Sequence, residues 1–190
     1  MKPVRVPEEE QYDPPPAAKI FCGFIYVPDL NLAEVLRLLE QVWGPVEFIS
    51  RRIAFAYTRY YSTEMGSPLL RKFVSFQEEV NQEDLPRLKW EAKRMEDGYL
   101  NARGGRRVNI DPGLLLPERL VLATTKPFAH RMYLARGIYA DVTLVYRKKS
   151  YRPLEWTYPD YGTPDAVRMI NNLRKHGFLQ KRAIEKGRIE

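Results

Sequence analysis

The sequence predicts an α+β domain: a mixed or largely antiparallel sheet with a βαβ start and two or three covering helices. Three observations predict it. Strand-type runs outnumber helical ones along the chain. The folded part opens with an apolar run, an amphipathic stretch and a second apolar run, which is the order of a βαβ unit. Later, two alternating stretches flank Arg136-Gly137, the pattern of a β-hairpin.

The elements follow in order. Residues 1–18 hold Glu8-Glu9-Glu10 and Pro14-Pro15-Pro16, bury little, and are expected to form a disordered arm. A single domain is expected over residues 19–176. Its first strand is KIFCGFIYV, apolar and aromatic-rich. Asn31-x-x-Glu34 resembles a capping box, and Leu32, Val35, Leu36 and Leu39 follow at helical spacing. Gly44-Pro45 stops that helix. Residues 46–57 read as a second buried strand, residues 57–68 as a Tyr-rich loop, and residues 71–76 (RKFVSF) as a short strand. Helical spacing returns over 82–102, and Gly104-Gly105 ends it. Residues 107–111 read as a strand that stops at the turn Asp111-Pro112-Gly113. Residues 117–123 lean toward strand. A long strand runs from Ile138 to about Arg147. Thr163 caps a last helix with Pro164 at its first position, and Gly177 closes it. Residues 177–190 are expected to be a basic tail.

Composition narrows the function classes. The net charge of +7 favours anionic partners such as phosphates, nucleic acid or an acidic protein. Cys22 is the single cysteine, so no intrachain disulfide and no cysteine zinc site can form. Its apolar surroundings mark it as buried rather than nucleophilic. No stretch reaches transmembrane length and MKPVRVPEEE lacks an apolar leader core, so a cytoplasmic location is expected. The chain contains no GxxxxGK[ST], GxGxxG after a strand, GxSxG or HExxH.

The candidate site starts from the hairpin. With a two-residue turn at Arg136-Gly137, Ala135 pairs with Ile138, Met132 with Asp141, and His130 with Thr143. His130, Met132, Asp141 and Thr143 then share a face, and His130 lies diagonal to Asp141, within side-chain reach. A carboxylate beside a histidine fixes its tautomer, as a general base requires; the other reading is a structural polar contact. Arg131 falls on the opposite face unless the strand twists or bulges. Asn109 and Asp111 share a face at a strand end, where side chains reach clefts. Thr125 and Lys126 follow an apolar run and can hold a phosphate. Arg106 and Arg107 can clamp an anion. The aromatic stretch 156–161 (WTYPDY), with Tyr158, and the earlier loop, with Tyr60, Tyr61 and Glu64, can pack on the core or form a lid. A magnesium site could be assembled from Asp111, Asp141 and Asp160, although no spacing demands it, so no metal ligands are assigned and any cofactor stays open.

Several motifs carry a resemblance: YTRYYSTEMG (57–66), RKFVSF (71–76), RRVNIDPG (106–113), LVLATTK (120–126), AHRMYL and GIYADVTL (129–144), and WTYPDY (156–161). Together they resemble a bacterial family known as domain of unknown function 4416, over nearly the whole folded part. The resemblance implies no chemistry, because the family's activity is not established. Members have at times been called GTP-binding. Without a P-loop, and with Pro127 and Phe128 after Thr125-Lys126, a GTPase mechanism is not expected here.

The resulting expectation is a protein that binds, and could act on, an anionic small molecule such as a nucleotide or phosphate ester. Its cleft would be lined by His130, Asp141, Asp111, Asn109, Lys126 and Arg131. His130 would be the acid/base, Asp141 its orienting partner, and Asp111 would bind a polar group or a metal; Thr125, Arg107, Tyr60, Glu64 and Tyr158 complete the ligand-binding set. Two alternatives stand beside it. One is an RNA-binding accessory protein, from the charge and Arg147-Lys148-Lys149 beside Tyr151. The other is a scaffold meeting protein partners through its aromatic loops.

Overall fold

A computed structural model describes residues 13–180, with side chains through Phe178. Residues 1–12 and 181–190, which hold most of the expected arm and tail, lie outside the described residues. The architecture is α+β. Its elements are β1 (Ala18–Tyr26), α1 (Leu32–Trp43), β2 (Val46–Ile49), β3 (Ile53–Phe55), α2 (Tyr60–Met65), β4 (Leu69–Val80), α3 (Leu85–Asp97), β5 (Val108–Leu115), β6 (Arg119–Thr124), β7 (Arg131–Ala135), β8 (Ile138–Arg147), β9 (Ser150–Pro153) and α4 (Pro164–Arg174).

The strands form one sheet in the order β2-β4-β1-β5-β6-β8-β7, with β3 also on β4 and β9 on β8. All described pairings are antiparallel. The apolar run 18–26 becomes the central strand because every one of its residues is buried there. The βαβ opening is split. β1 and β2 are each antiparallel to β4, which lies between them, so they run parallel without touching. β2 is therefore a half-buried edge strand rather than the buried neighbour its apolar residues predict.

Helices cover both faces. Leu32, Val35, Leu36, Leu39 and Trp43 of α1, with Leu85, Leu88 and Ala92 of α3, pack on one face in the larger core cluster. Ala166, Ile170 and Leu173 of α4 join Phe21, Phe73, Tyr151 and Tyr161 on the other. The Asn31 side chain makes no cap bond, and Glu34 instead accepts from Tyr99 Oη at 3.1 Å. Thr163 does cap α4, its Oγ1 accepting from the Ala166 N–H at 3.2 Å. That helix stops at Arg174, and residues 175–180 continue as one wide turn that buries Phe178.

Two local readings are overridden. The Tyr-rich loop contains the short helix α2. Asp111-Pro112-Gly113 is no turn: β5 runs straight through it, paired with β1 from Val108↔Tyr26 to Leu115↔Lys19. A continuous ladder outweighs local turn preference. Proline is tolerated because β6 pairs with β5 only at Gly113, Leu114 and Leu115, so Pro112 stands where the two strands separate. That separation is what opens the sheet at the site.

Thr163→Ala removes the side-chain cap of α4 and is expected to cost about 1 kcal/mol. A thermal melt should show this as a fall of roughly 2–4 °C for a domain of this size.

Candidate functional site

The hairpin turn forms as its residues predict. Arg136 and Gly137 both have positive φ (53° and 78°), the geometry of a two-residue type I′ turn. Ala135 pairs with Ile138, but Leu134 is then bulged out. The bulge advances the register by one, so Tyr133 meets Tyr139, Met132 meets Ala140, and Arg131 meets Asp141. The expected pairs Met132–Asp141 and His130–Thr143 do not form. Arg131 moves to the Asp141 face for the reason that would have been needed, a bulge.

Asp141 is buried between two cations or potential cations. Its Oδ2 accepts from Arg131 Nε at 2.9 Å, and His130 Nε2 lies 3.4 Å from the same oxygen. The histidine contact is not aligned as a hydrogen bond, and Nε2 is buried without a partner. The imidazole stacks flat on Trp156, with 4.9 Å between ring centroids and 8° between planes. Arg131 spends its other nitrogens on structure: Nη1 donates to the Lys126 carbonyl at 3.0 Å and Nη2 to Tyr158 Oη at 2.9 Å. The Asp141–Arg131 pair therefore ties the 124–130 loop to the 156–161 loop. It braces a rim.

The cavity lies beside this brace, not on it. About 490 Å³ opens where β5 leaves β6, with α3 on one side and the segment Tyr158–Tyr161 on the other. This size is ordinary for a small-molecule site. Asn109, Asp111, Thr125, Lys126, Tyr60 and Tyr158 line it, as expected. His130, Asp141 and Arg131 do not. Arg107 points elsewhere and pairs with Asp29 at 2.7 Å. Glu64 grips Arg106, accepting from Nε at 2.7 Å and Nη2 at 2.8 Å, and that hydrogen bond holds its carboxyl below the usual range.

The deep wall is a paired network. Arg71 is 3% exposed, and its Nε donates to Asp160 Oδ2 at 2.6 Å. Lys89 Nζ donates to Asp111 Oδ1 at 3.2 Å and to the Ile110 carbonyl at 2.8 Å. Asn109 links Arg106 Nη1 (2.7 Å) to Asp111 Oδ2 (2.6 Å). Arg106 Nη1 also donates to Glu96 Oε2 at 3.1 Å. Burial raises the Glu96 carboxyl above its ordinary range, against the lowering pull of Lys89.

Two buried polar atoms of the lining residues have no hydrogen-bond partner among the described residues. Arg71 Nη1 and Tyr161 Oη are fully buried. They crowd the α-carbon of Gly23, where a Cβ would collide with the phenol oxygen and stand 2.7 Å from Nη1. Glycine is required there for close approach. Beside them stands Tyr61, a half-buried lining residue whose ring packs edge-on against Tyr60 (5.0 Å) and Phe55 (5.9 Å). Burial, reinforced by the Asp111 charge, pushes this phenol far up, so it remains a hydroxyl donor. Burial likewise pushes Tyr158 up to about 12.

Tyr61, Arg71, Lys89, Asp160 and Tyr161 were not singled out from sequence as ligand contacts. Two signals were present: a glycine inside a fully apolar strand, and an arginine on the Phe73 side of RKFVSF. Asp111, Asp141 and Asp160, the conceivable magnesium set, are each bonded to a different cation. Among the described residues no group of three or more His, Cys, Asp or Glu side chains is placed to hold a metal. Cys22 is buried, and burial pushes its thiol well up, so it is no nucleophile.

Residues 16–176 match the family described as Domain of unknown function (DUF4416). The chain belongs to that family. No curated protein and no solved structure matches it. The DUF4416 span runs from before β1 to beyond α4 and so contains every residue of the cavity wall. Among the described residues of this DUF4416 chain, no helix is long and apolar enough to cross a membrane.

Asp141→Ala leaves the Arg131 guanidinium half-enclosed without its carboxylate. Breaking such a pair is expected to cost on the order of 3 kcal/mol, read by urea denaturation. His130→Ala loses one stacked ring contact and is expected to cost no more than about 1.5 kcal/mol.

Proposed function

We propose that this protein binds an anionic small molecule, of the phosphate-ester or nucleotide class, in the cavity between β5 and β6. The observation that carries the reading is the set of polar groups left without a protein partner. Arg71 Nη1 and Tyr161 Oη are buried without a partner on residues lining the cavity, and the half-buried Tyr61 lines it in front of them. Buried donors are costly when unmatched, so a wall holding two of them, with a further phenol beside them, suits a polar ligand. At the open end Lys126 stands with its Nζ 3.7 Å from the centroid of the Tyr60 ring. No carboxylate of the described residues lies within ion-pair distance of it.

The proposed role is binding. His130, the sequence-derived acid/base, is stacked on Trp156 and is not among the residues lining the cavity. Asp111 is the carboxylate of the original set that does line the space, and Lys89 and Asn109 already occupy it.

Isothermal titration of the purified protein with adenosine 5′-monophosphate and ribose 5-phosphate tests the reading. Tyr61→Phe keeps the ring and removes one donor. It should weaken binding about tenfold, the equivalent of one hydrogen bond of roughly 1.4 kcal/mol, with little change in melting temperature. His130→Ala should leave the affinity within threefold. An unchanged affinity in Tyr61→Phe would move the site elsewhere. If instead the protein prefers RNA, binding should fall by orders of magnitude between 50 and 200 mM salt.

A further inference from the structure

Charge is distributed unevenly along the cavity, and this bears on how a ligand would lie in it. At the deep end every cation is matched. Arg71 pairs with Asp160, Lys89 with Asp111, and Arg106 with both Glu64 and Glu96. Asp111 Oδ2 lies only 4.0 Å from Arg71 Nη1. Three cations thus meet four carboxylates. A full negative charge placed there would face at least as much negative as positive charge, in an environment that screens poorly. The group available in that region is a hydrogen-bond donor without net charge, the Tyr61 hydroxyl, standing in front of the closed-off Tyr161 hydroxyl and a neutralised guanidinium.

The open end is different. Thr125 and Lys126 are exposed, and the Lys126 ammonium is held by the face of Tyr60 rather than by a carboxylate. Lys93 also lines the cavity but is held by Asp97. Between the two ends stand the rings of Phe55, Tyr60, Tyr61 and Tyr158. Such walls suit a flat or apolar body and not a bare oxyanion.

Building on the anion-binding reading above, we infer that the cavity takes a phosphomonoester end-on. A neutral carbonyl or hydroxyl oxygen goes to the Tyr61 hydroxyl at the deep end, the organic body lies between the aromatic rings, and the phosphate stays outside at Lys126 and Thr125. The ligand class is therefore a nucleoside or sugar monophosphate, and inorganic phosphate or pyrophosphate should bind poorly. The Arg71 and Tyr161 atoms are closed off from solvent against Gly23, so the entering oxygen meets Tyr61.

The test is a matrix of titrations on the full chain: adenosine, adenosine 5′-monophosphate, ribose 5-phosphate and inorganic phosphate, each with wild type, Lys126→Ala and Tyr61→Phe. Tyr61→Phe keeps the ring and its packing on Phe55 and Tyr60, Lys126 is exposed, and melting curves check that each variant is folded. Lys126→Ala should weaken the two phosphate esters about tenfold and adenosine less than twofold. Tyr61→Phe should weaken the monophosphate and adenosine by the same factor. Inorganic phosphate should bind at least a hundredfold more weakly than the better ester. The end-on orientation fails if inorganic phosphate rivals the esters, or if Lys126→Ala weakens adenosine as much as its monophosphate, while the cavity would still bind anions. Absence of binding by every compound overturns the cavity reading itself and the orientation with it.

Discussion

The site depends on a buried charge. Arg71 sits in β4 beneath three aromatic rings, with its guanidinium carbon 4.9–5.4 Å from the centroids of Phe55, Phe73 and Tyr161. It is held in a fork by Asp160 from the far loop. Desolvating an arginine and an aspartate costs several kcal/mol each, and their attraction recovers this only with good geometry. The surroundings supply that geometry. Gly23 of β1 clears space beneath the guanidinium, and the rings give its faces cation–π contact. The consequence is that the 156–161 segment is pinned over the sheet where β5 and β6 part, which creates a roofed cavity rather than an open groove.

A second ion pair fixes the other side of the roof. Asp141 holds Arg131, and Arg131 reaches the Lys126 carbonyl and the Tyr158 hydroxyl. The two pairs divide the labour. Arg71–Asp160 sets the depth, and Arg131–Asp141 sets the rim. Lys126 lends Arg131 its backbone carbonyl, and its ammonium rests over the Tyr60 ring with no carboxylate of the described residues within ion-pair distance. The balance of charge below and the excess above follow from this arrangement, and so does the proposed direction of the ligand.

Much of the fold is legible in the residues. The burial of IFCGFIYV, the stripe Leu32-Val35-Leu36-Leu39, the Arg136-Gly137 turn and the Thr163 cap all follow from local rules that the tertiary structure obeys. The site is legible in part. Asn109, Asp111, Thr125, Lys126, Tyr60 and Tyr158 sit at strand ends and loops, where polar side chains meet clefts, and they do line one. The readings that failed depended on register or partner choice. A bulge at Leu134 is invisible in an alternating sequence, yet it exchanges which residue faces Asp141. The Asp-Pro-Gly turn signal is strong locally and is lost to a ladder with β1, a strand about ninety residues earlier.

The sequence by itself determined the class of the domain, its element order and the types of side chain available for an anion. Those follow from periodicity and short-range stereochemistry, which act within a few residues. Only the tertiary structure decided that β4 would stand between β1 and β2, that the sheet would open at Pro112, and that Arg71 would meet Asp160 across 89 positions. It also decided that Asp141 would pair with Arg131 as a brace outside the cavity, with His130 beside it stacked on Trp156. The physical reason is that long-range pairing is settled by burial and charge matching summed over the whole sheet, and no local pattern encodes that sum.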